Sequence, residues 1–241
     1  MRLPVIEGTI RRRLLVNFRV DPAVMQAQLP PRFSPKLHDG HAIAGICLIR
    51  LEAIRPRHLP ALVGFSSENA AHRVAVLWTD EAGEQKEGVF IPRRDTSSLV
   101  NHLGGGRIFP GEHHRAAFAV HEDARTIDLQ MRSRDGEVTV HVRGRFGGAL
   151  PPTSCFSSLE AASGFFEPGS LGYSVTRRGG RLDGIELRTA AWRVEPLEVT
   201  DVASSYFSEA SRFPPGSVEF DCALAMRNLA HEWHSADDLY V

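Results

Sequence analysis

Apolar and polar side chains alternate along most of this chain, the period of a strand with one face buried. From Thr9 to Val20, Ile10, Leu14, Val16, Phe18 and Val20 fall largely on one parity with arginines between them, which predicts a strand. Asp21-Pro22 then supplies an N-cap and a first-turn proline for a short helix through Leu29, ended by Pro30-Pro31. Arg32 to His38 and His41 to Ile54 flank Asp39-Gly40, a pair suited to a tight turn with positive φ, and predict a hairpin. A second hairpin is expected from Gly64–Trp78 and Glu87–Arg93. A short helix over Thr96–Leu103 should follow, stopped by Gly104-Gly105-Gly106.

Arg115–His121, Thr126–Arg134 and Glu137–Phe146 read as a meander of strands. Ser157-Ser158-Leu159-Glu160 resembles a capping box and predicts a helix from Leu159 to Phe166, which Pro168-Gly169 ends. Strands resume at Leu171–Arg177, Gly184–Leu197 and Ser217–Leu229, with a helical turn near Ser204–Arg212. Many short strands with few helices imply an α+β, β-rich fold, either an antiparallel sheet or a closed barrel. Glycine and proline are spread over the turns, so residues 1–241 are expected to form a single domain.

Composition narrows the function. With 28 basic against 29 acidic side chains the net charge is −1, which argues against nucleic acid and against a polybasic membrane patch as partners. No apolar run reaches the ~20 residues of a membrane span, and the first residues lack the apolar stretch of a signal peptide. Three scattered cysteines, Cys47, Cys155 and Cys222, in apolar surroundings read as reduced thiols, and the expected location is the cytoplasm. Only Lys36 and Lys86 are lysines; the other basic residues are arginines, which bind anions in a planar fork and are poor amine nucleophiles.

Candidate chemistry gathers in a few places. Arg93-Arg94-Asp95-Thr96-Ser97-Ser98 stands where a strand gives way to a helix, a setting suited to a carboxylate or phosphate, with Asp95 or Thr96 as a simple helix cap the competing reading. Glu112-His113-His114-Arg115 offers a general acid or base, but neighbours on a strand face opposite ways, so at most one histidine can enter a cavity. Glu68, in Ser66-Ser67-Glu68-Asn69, is either an inward, desolvated proton donor or a solvating edge charge. His231-Glu232-Trp233-His234 has histidines three apart where a helical zinc motif needs four, so no metal site is expected. Phosphate loops, dinucleotide glycine fingerprints and the Gly-x-Ser-x-Gly elbow are all missing, and no cofactor is expected.

Taken together, Arg12-Arg13-Leu14-Leu15 with Asn17-Phe18, Leu29-Pro30-Pro31, Ser67-Glu68-Asn69, Gly88-Val89-Phe90-Ile91-Pro92-Arg93-Arg94-Asp95 and His231-Glu232-Trp233 resemble the uncharacterised YqjF-like family of the acetoacetate decarboxylase-like superfamily. The resemblance spans nearly the whole chain. It implies a cone-shaped antiparallel β barrel around a site with an arginine at Arg12 or Arg13 and a glutamate at Glu68. The superfamily's Schiff-base lysine would fall in or beside Glu112-His113-His114, where this chain has none.

The resulting expectation is a protein that binds a small anionic or carbonyl-bearing metabolite through Arg12, Arg13, Arg93, Arg94, Asp95 and Ser97. Glu68 and one of His113 and His114 would move protons if chemistry occurs, without imine formation. A non-catalytic ligand-binding or sensor module and a structural or interaction protein remain as alternatives, and self-association is left open.

Overall fold

The computed structural model describes residues 4–104, 110–176 and 179–240. Its strands are β1 (Ile6–Val20), β2 (Ser34–Pro35), β3 (Leu37–His38), β4 (His41–Pro56), β5 (Phe65–Thr79), β6 (Gln85–Thr96), β7 (His113–Glu122), β8 (Thr126–Ser133) and β9 (Thr139–Phe146), followed by β10 (Leu171–Val175), β11 (Arg181–Thr189), β12 (Glu195–Ser204), β13 (Val218–Ser235) and β14 (Leu239–Tyr240). Among the described residues three short α-helices, α1 (Pro22–Gln26), α2 (Leu99–Gly104) and α3 (Leu159–Phe166), and a 3-10 turn at Ala61–Val63 interrupt them.

Local chemistry explains the punctuation. The Asp21 carboxylate accepts from the amides of Ala23 and Val24 and starts α1, and the Ser158 hydroxyl accepts from the Ala161 amide and starts α3. Asp39 and Gly40 both have positive φ, and they join the strand ends at the pair His38 and His41.

The strands close on themselves twice. The path β6-β7-β8-β9-β12-β13-β1-β4-β5 returns to β6 as a nine-strand ring, and a pairing of β11 with β13 closes β13-β1-β4-β5-β6-β10-β11 into a seven-strand ring. Five strands, β13, β1, β4, β5 and β6, are common to both. They form a wall whose two faces are each buried, so successive residues along it enter different compartments. Leu14 and Val16 pack with β8 and β9 in the larger core, whereas Leu15 packs with Cys47, Leu187 and α3 in the smaller.

The sheet is mixed rather than wholly antiparallel, because β6 runs parallel to both β7 and β10. Two expected elements also change. The run Gly184–Leu197 is split into β11 and β12, and β12 continues to Ser204, where the expected turn begins with the Ser208 amide donating to the Ser204 carbonyl at 3.0 Å. Helix α2 starts at Leu99 with the Ser98 hydroxyl accepting from Asn101, while Thr96 ends β6. Residues 105–106 of the expected glycine stop lie outside the described residues. No helix among the described residues is long and apolar enough to cross a membrane.

Candidate functional site

A cavity of about 140 Å³ lies within the seven-strand ring, and every strand of that ring contributes to its lining. Its walls are mainly apolar, with Ile49, Leu51, Ile91, Ile185, Leu187 and Trp233 among them. Three arginines interrupt this surface: Arg13 from β1, Arg73 from β5 and Arg94 from β6. Strands β1 and β6 are three steps apart around the ring in one direction and four in the other, so Arg13 and Arg94 come from opposite walls.

Among the described residues, no carboxylate lies within ion-pair distance of any of the three. Arg94 donates from Nε to the Ser174 hydroxyl at 2.8 Å, and its terminal nitrogens have no acceptor among the described residues. Arg13 donates from Nε to Cys47 Sγ at 3.4 Å and lies over the Trp192 ring. Arg73 donates from Nη2 to Asn17 Oδ1 at 2.6 Å and stacks on Phe166, and its buried Nε has no partner among the described residues. Burial lowers both Arg73 and Arg94 to about 10, which still leaves both charged at neutral pH.

His113 joins them from the start of β7. Its Nδ1 is 3.1 Å from the Gly111 carbonyl, which can only accept, so Nδ1 carries the proton and Nε2 of the neutral ring holds a lone pair. Burial, and then the Arg94 charge, push His113 down to about 3. Gly111 makes this arrangement possible. Its φ is +78°, and a Cβ there would stand 2.4 Å from Ser174 Cβ and 3.4 Å from Arg94 Nε. Its amide is fixed by Asp183 at 3.0 Å. Asn69 and Asn101 add to the polar lining, with Thr96 hydrogen-bonded to Asn69 Oδ1.

The residues named from sequence divide between the two faces of the wall. Arg13, Arg94 and His113 line the cavity, whereas Arg12, Glu68, Arg93, His114 and Ser97 do not. Arg12 points the other way and is held by Glu68 at 2.5 Å and Glu122 at 2.7 Å. Glu68 therefore belongs to a buried ion-pair cluster rather than to a site shared with His113; burial raises its pKa while Arg12 and Arg50 oppose the rise. Arg93 holds Asp95, Asp135 and Glu137, and His114 contacts Asp135 at 3.0 Å. Asp95 borders the cavity, but its carboxylate is turned to Arg93. The Ser97 hydroxyl accepts from the Glu68 amide.

Arg73, Asn69, Asn101 and Cys47 escaped sequence reasoning as site residues. For Arg73 a signal existed: a single guanidinium in the middle of Ala70-Ala71-His72-Arg73-Val74-Ala75-Val76, where a buried charge needs a reason. Neither lysine reaches the cavity. Lys36 is bound to Glu87 at 2.5 Å and Lys86 to Asp80 at 3.4 Å. No group of three or more metal-ligating side chains occurs among the described residues.

The closed, mixed β fold agrees with the comparisons to known proteins. The model of a family described as an uncharacterized conserved protein, DUF2071, matches residues 7–224. The chain belongs to the DUF2071 family. A comparison with curated protein sequences gives no match. In fold, the chain is similar to acetoacetate decarboxylase from Legionella pneumophila, with a TM-score of 0.61 at 11% identity over 99% of this chain and 88% of that one. It is also similar to an acetoacetate decarboxylase-like enzyme from Sphingomonas wittichii RW1, with a TM-score of 0.62 at 14% identity over 99% of this chain and 94% of that one. The enduracididine biosynthesis enzyme MppR, solved in complex with pyruvate, gives a TM-score of 0.57 at 11% identity over 100% of this chain and 91% of that one. The DUF2071 chain thus has the acetoacetate decarboxylase-like fold.

Proposed function

We propose that this protein binds a small carboxylate bearing a carbonyl group, such as an oxo-acid, inside the seven-strand ring. The observation that carries this reading is the set of three guanidiniums, Arg13, Arg73 and Arg94, facing an apolar cavity with no carboxylate partner among the described residues. Charges kept out of water without a counter-ion are costly, and an anion entering the cavity offsets that cost. At ~30 Å³ per liquid water, the cavity offers room for a ligand of roughly five to eight non-hydrogen atoms. Of the solved relatives, MppR has been captured with pyruvate, a ligand of this size and class.

In this reading Arg94 and Arg13 grip the ligand from opposite walls, and the two planar forks select a carboxylate at one end and a polar oxygen at the other. The Nε2 lone pair of His113 accepts a proton from the carbon next to the carbonyl, or from a hydroxyl or water at that point. The apolar walls exclude bulk water and strengthen each of these contacts. The chemistry would be acid–base work on a carbonyl compound, without an imine.

Calorimetry with pyruvate and acetoacetate tests the binding. A fall in affinity of at least tenfold in Arg94→Gln, with propanol as a non-binding control, is the expected result; unchanged affinity in that variant would end the proposal. A second reading, a binding module without catalysis, is favoured by the weak basicity of His113, whose pKa of about 3 makes a poor base. Exchange of the pyruvate methyl protons in D2O, followed by NMR, separates the two. Exchange that His113→Gln abolishes supports catalysis, and binding without exchange supports the module.

A further inference from the structure

Cys47 places a thiol in the wall of this cavity, and its surroundings differ from those of the other two thiols. It sits on β4, between β1 and β5, and lines the cavity. Its sulfur accepts a hydrogen bond from Arg13 Nε at 3.4 Å. Arg73 and Arg94 face the same space. Arg73 is only 5% exposed and has no carboxylate partner among the described residues, so a buried guanidinium without a counter-ion stands in the same cavity wall as the thiol.

Cys155 and Cys222 have the opposite setting. Both flank the buried carboxylate of Asp221, whose Oδ1 accepts from the Cys155 amide at 2.8 Å. Burial and then Asp221 push Cys155 up to about 12 and Cys222 further still. Cys155 is the most exposed of the three, while Cys47 is 8% exposed. Accessibility alone would therefore make Cys155 the reactive thiol, whereas electrostatics selects Cys47 for any reagent that carries a negative charge.

We propose that Cys47 is a covalent site for small carboxylate-bearing electrophiles, which the cavity's guanidiniums gather and hold against the sulfur. With an oxo-acid the step is reversible addition. The sulfur forms a bond to the carbonyl carbon, the π pair moves to the oxygen, and that oxygen takes the thiol proton, so no oxidant or reductant is consumed. With iodoacetate the sulfur displaces iodide, which leaves with the electron pair of the broken C–I bond, and the thiol proton passes to water. The inference rests on reading the cavity as an anion site.

The test uses the intact wild-type protein with iodoacetate and, separately, iodoacetamide at neutral pH, each rate being normalised to the same reagent acting on N-acetylcysteine. Peptide mapping should find Cys47 carboxymethylated first, with a normalised preference for iodoacetate of at least tenfold. That preference should shrink at least fivefold in Arg94→Gln, and an excess of acetate should slow the reaction of the wild type without any substitution. First reaction at Cys155, or equal normalised rates at Cys47, overturns the proposal. Failure of the oxo-acid reading looks different: selective carboxymethylation without calorimetric binding of pyruvate or acetoacetate would retain Cys47 and discard those ligands.

Discussion

Arg93 and Arg94 are bonded neighbours with opposite electrostatic surroundings: Arg93 is held by three carboxylates, and Arg94 by a single serine hydroxyl. The pleat of β6 separates them, sending one guanidinium into an ion-pair cluster and the other into the cavity. Two substitutions should therefore act in different ways. Arg93→Ala strands the fully buried Asp95 carboxylate and should cost about 3–5 kcal/mol in urea unfolding. Arg94→Gln removes a desolvated, unpaired charge and should leave the unfolding free energy unchanged or raised, by up to about 2 kcal/mol, while anion binding is lost. Equal destabilisation by the two variants would contradict this division.

Gly111 provides a test of the same site that changes no charged group. Alanine at φ +78° is strained, and its Cβ would displace Ser174, the anchor of Arg94. Gly111→Ala should lose about 1–3 kcal/mol of stability, and affinity for pyruvate should fall along with it. The Gly83→Ala variant carries a similar φ of +85° in the β5–β6 turn with nothing within 4 Å, so it should lose stability and keep binding.

The division between compartments also explains what could be read from sequence. Strands, hairpins and the caps at Asp21 and Ser158 were legible because local chemistry sets them. The side on which each polar residue falls was not. Both faces of the shared wall are buried, so apolar alternation does not separate inside from outside, and Arg12 could not be told from Arg13, Glu68 from Asn69, or His113 from His114. A register shift between Ile10 and Arg12 hides the phase further. It places Ile10 with the smaller core and Leu14 with the larger, although the two share a parity. The break between β11 and β12 was masked by Ala190-Ala191-Trp192-Arg193-Val194, an apolar run that reads as a continuing strand.

Acid should destabilise the protein through its buried histidines. His72 is fully buried with neither ring nitrogen partnered; burial, and then Arg93 and Arg212, lower its pKa from 6.5 to about 3. The unfolded chain thus binds a proton near pH 6.5 that the native chain refuses, so stability falls as pH drops from that value toward 3. By pH 5 this amounts to about 2 kcal/mol for the one residue. Glu68 and Asp95, whose pKa values are raised by burial, act in the opposite sense, so the effect is isolated by comparing one variant with the wild type. His72→Leu should show a shallower loss of stability between pH 6.5 and 4.5 than the wild type in urea titrations. Parallel curves would show that His72 does not contribute.

No imine should form in the wild-type protein. Imine chemistry needs a neutral amine in contact with the ligand, and neither lysine lines the cavity: Lys36 pairs with Glu87 and Lys86 with Asp80. Lys36 is bound to Glu87, donates to the Phe165 carbonyl at 3.3 Å and lies over the Phe165 ring. Borohydride added with pyruvate or acetoacetate should therefore leave the intact mass unchanged, and an adduct on Lys36 or Lys86 would contradict the structure. The position of His113 makes the test constructive. Burial and the Arg94 charge, which keep its imidazole neutral, would act in the same direction on an amine placed there. His113→Lys should thus gain a borohydride-trappable adduct with pyruvate at neutral pH, while Lys86 near the start of β6 stays unmodified in the same sample. If the variant folds and binds pyruvate yet traps nothing, then position 113 does not meet the carbonyl carbon, and His113 loses its place as the proton acceptor.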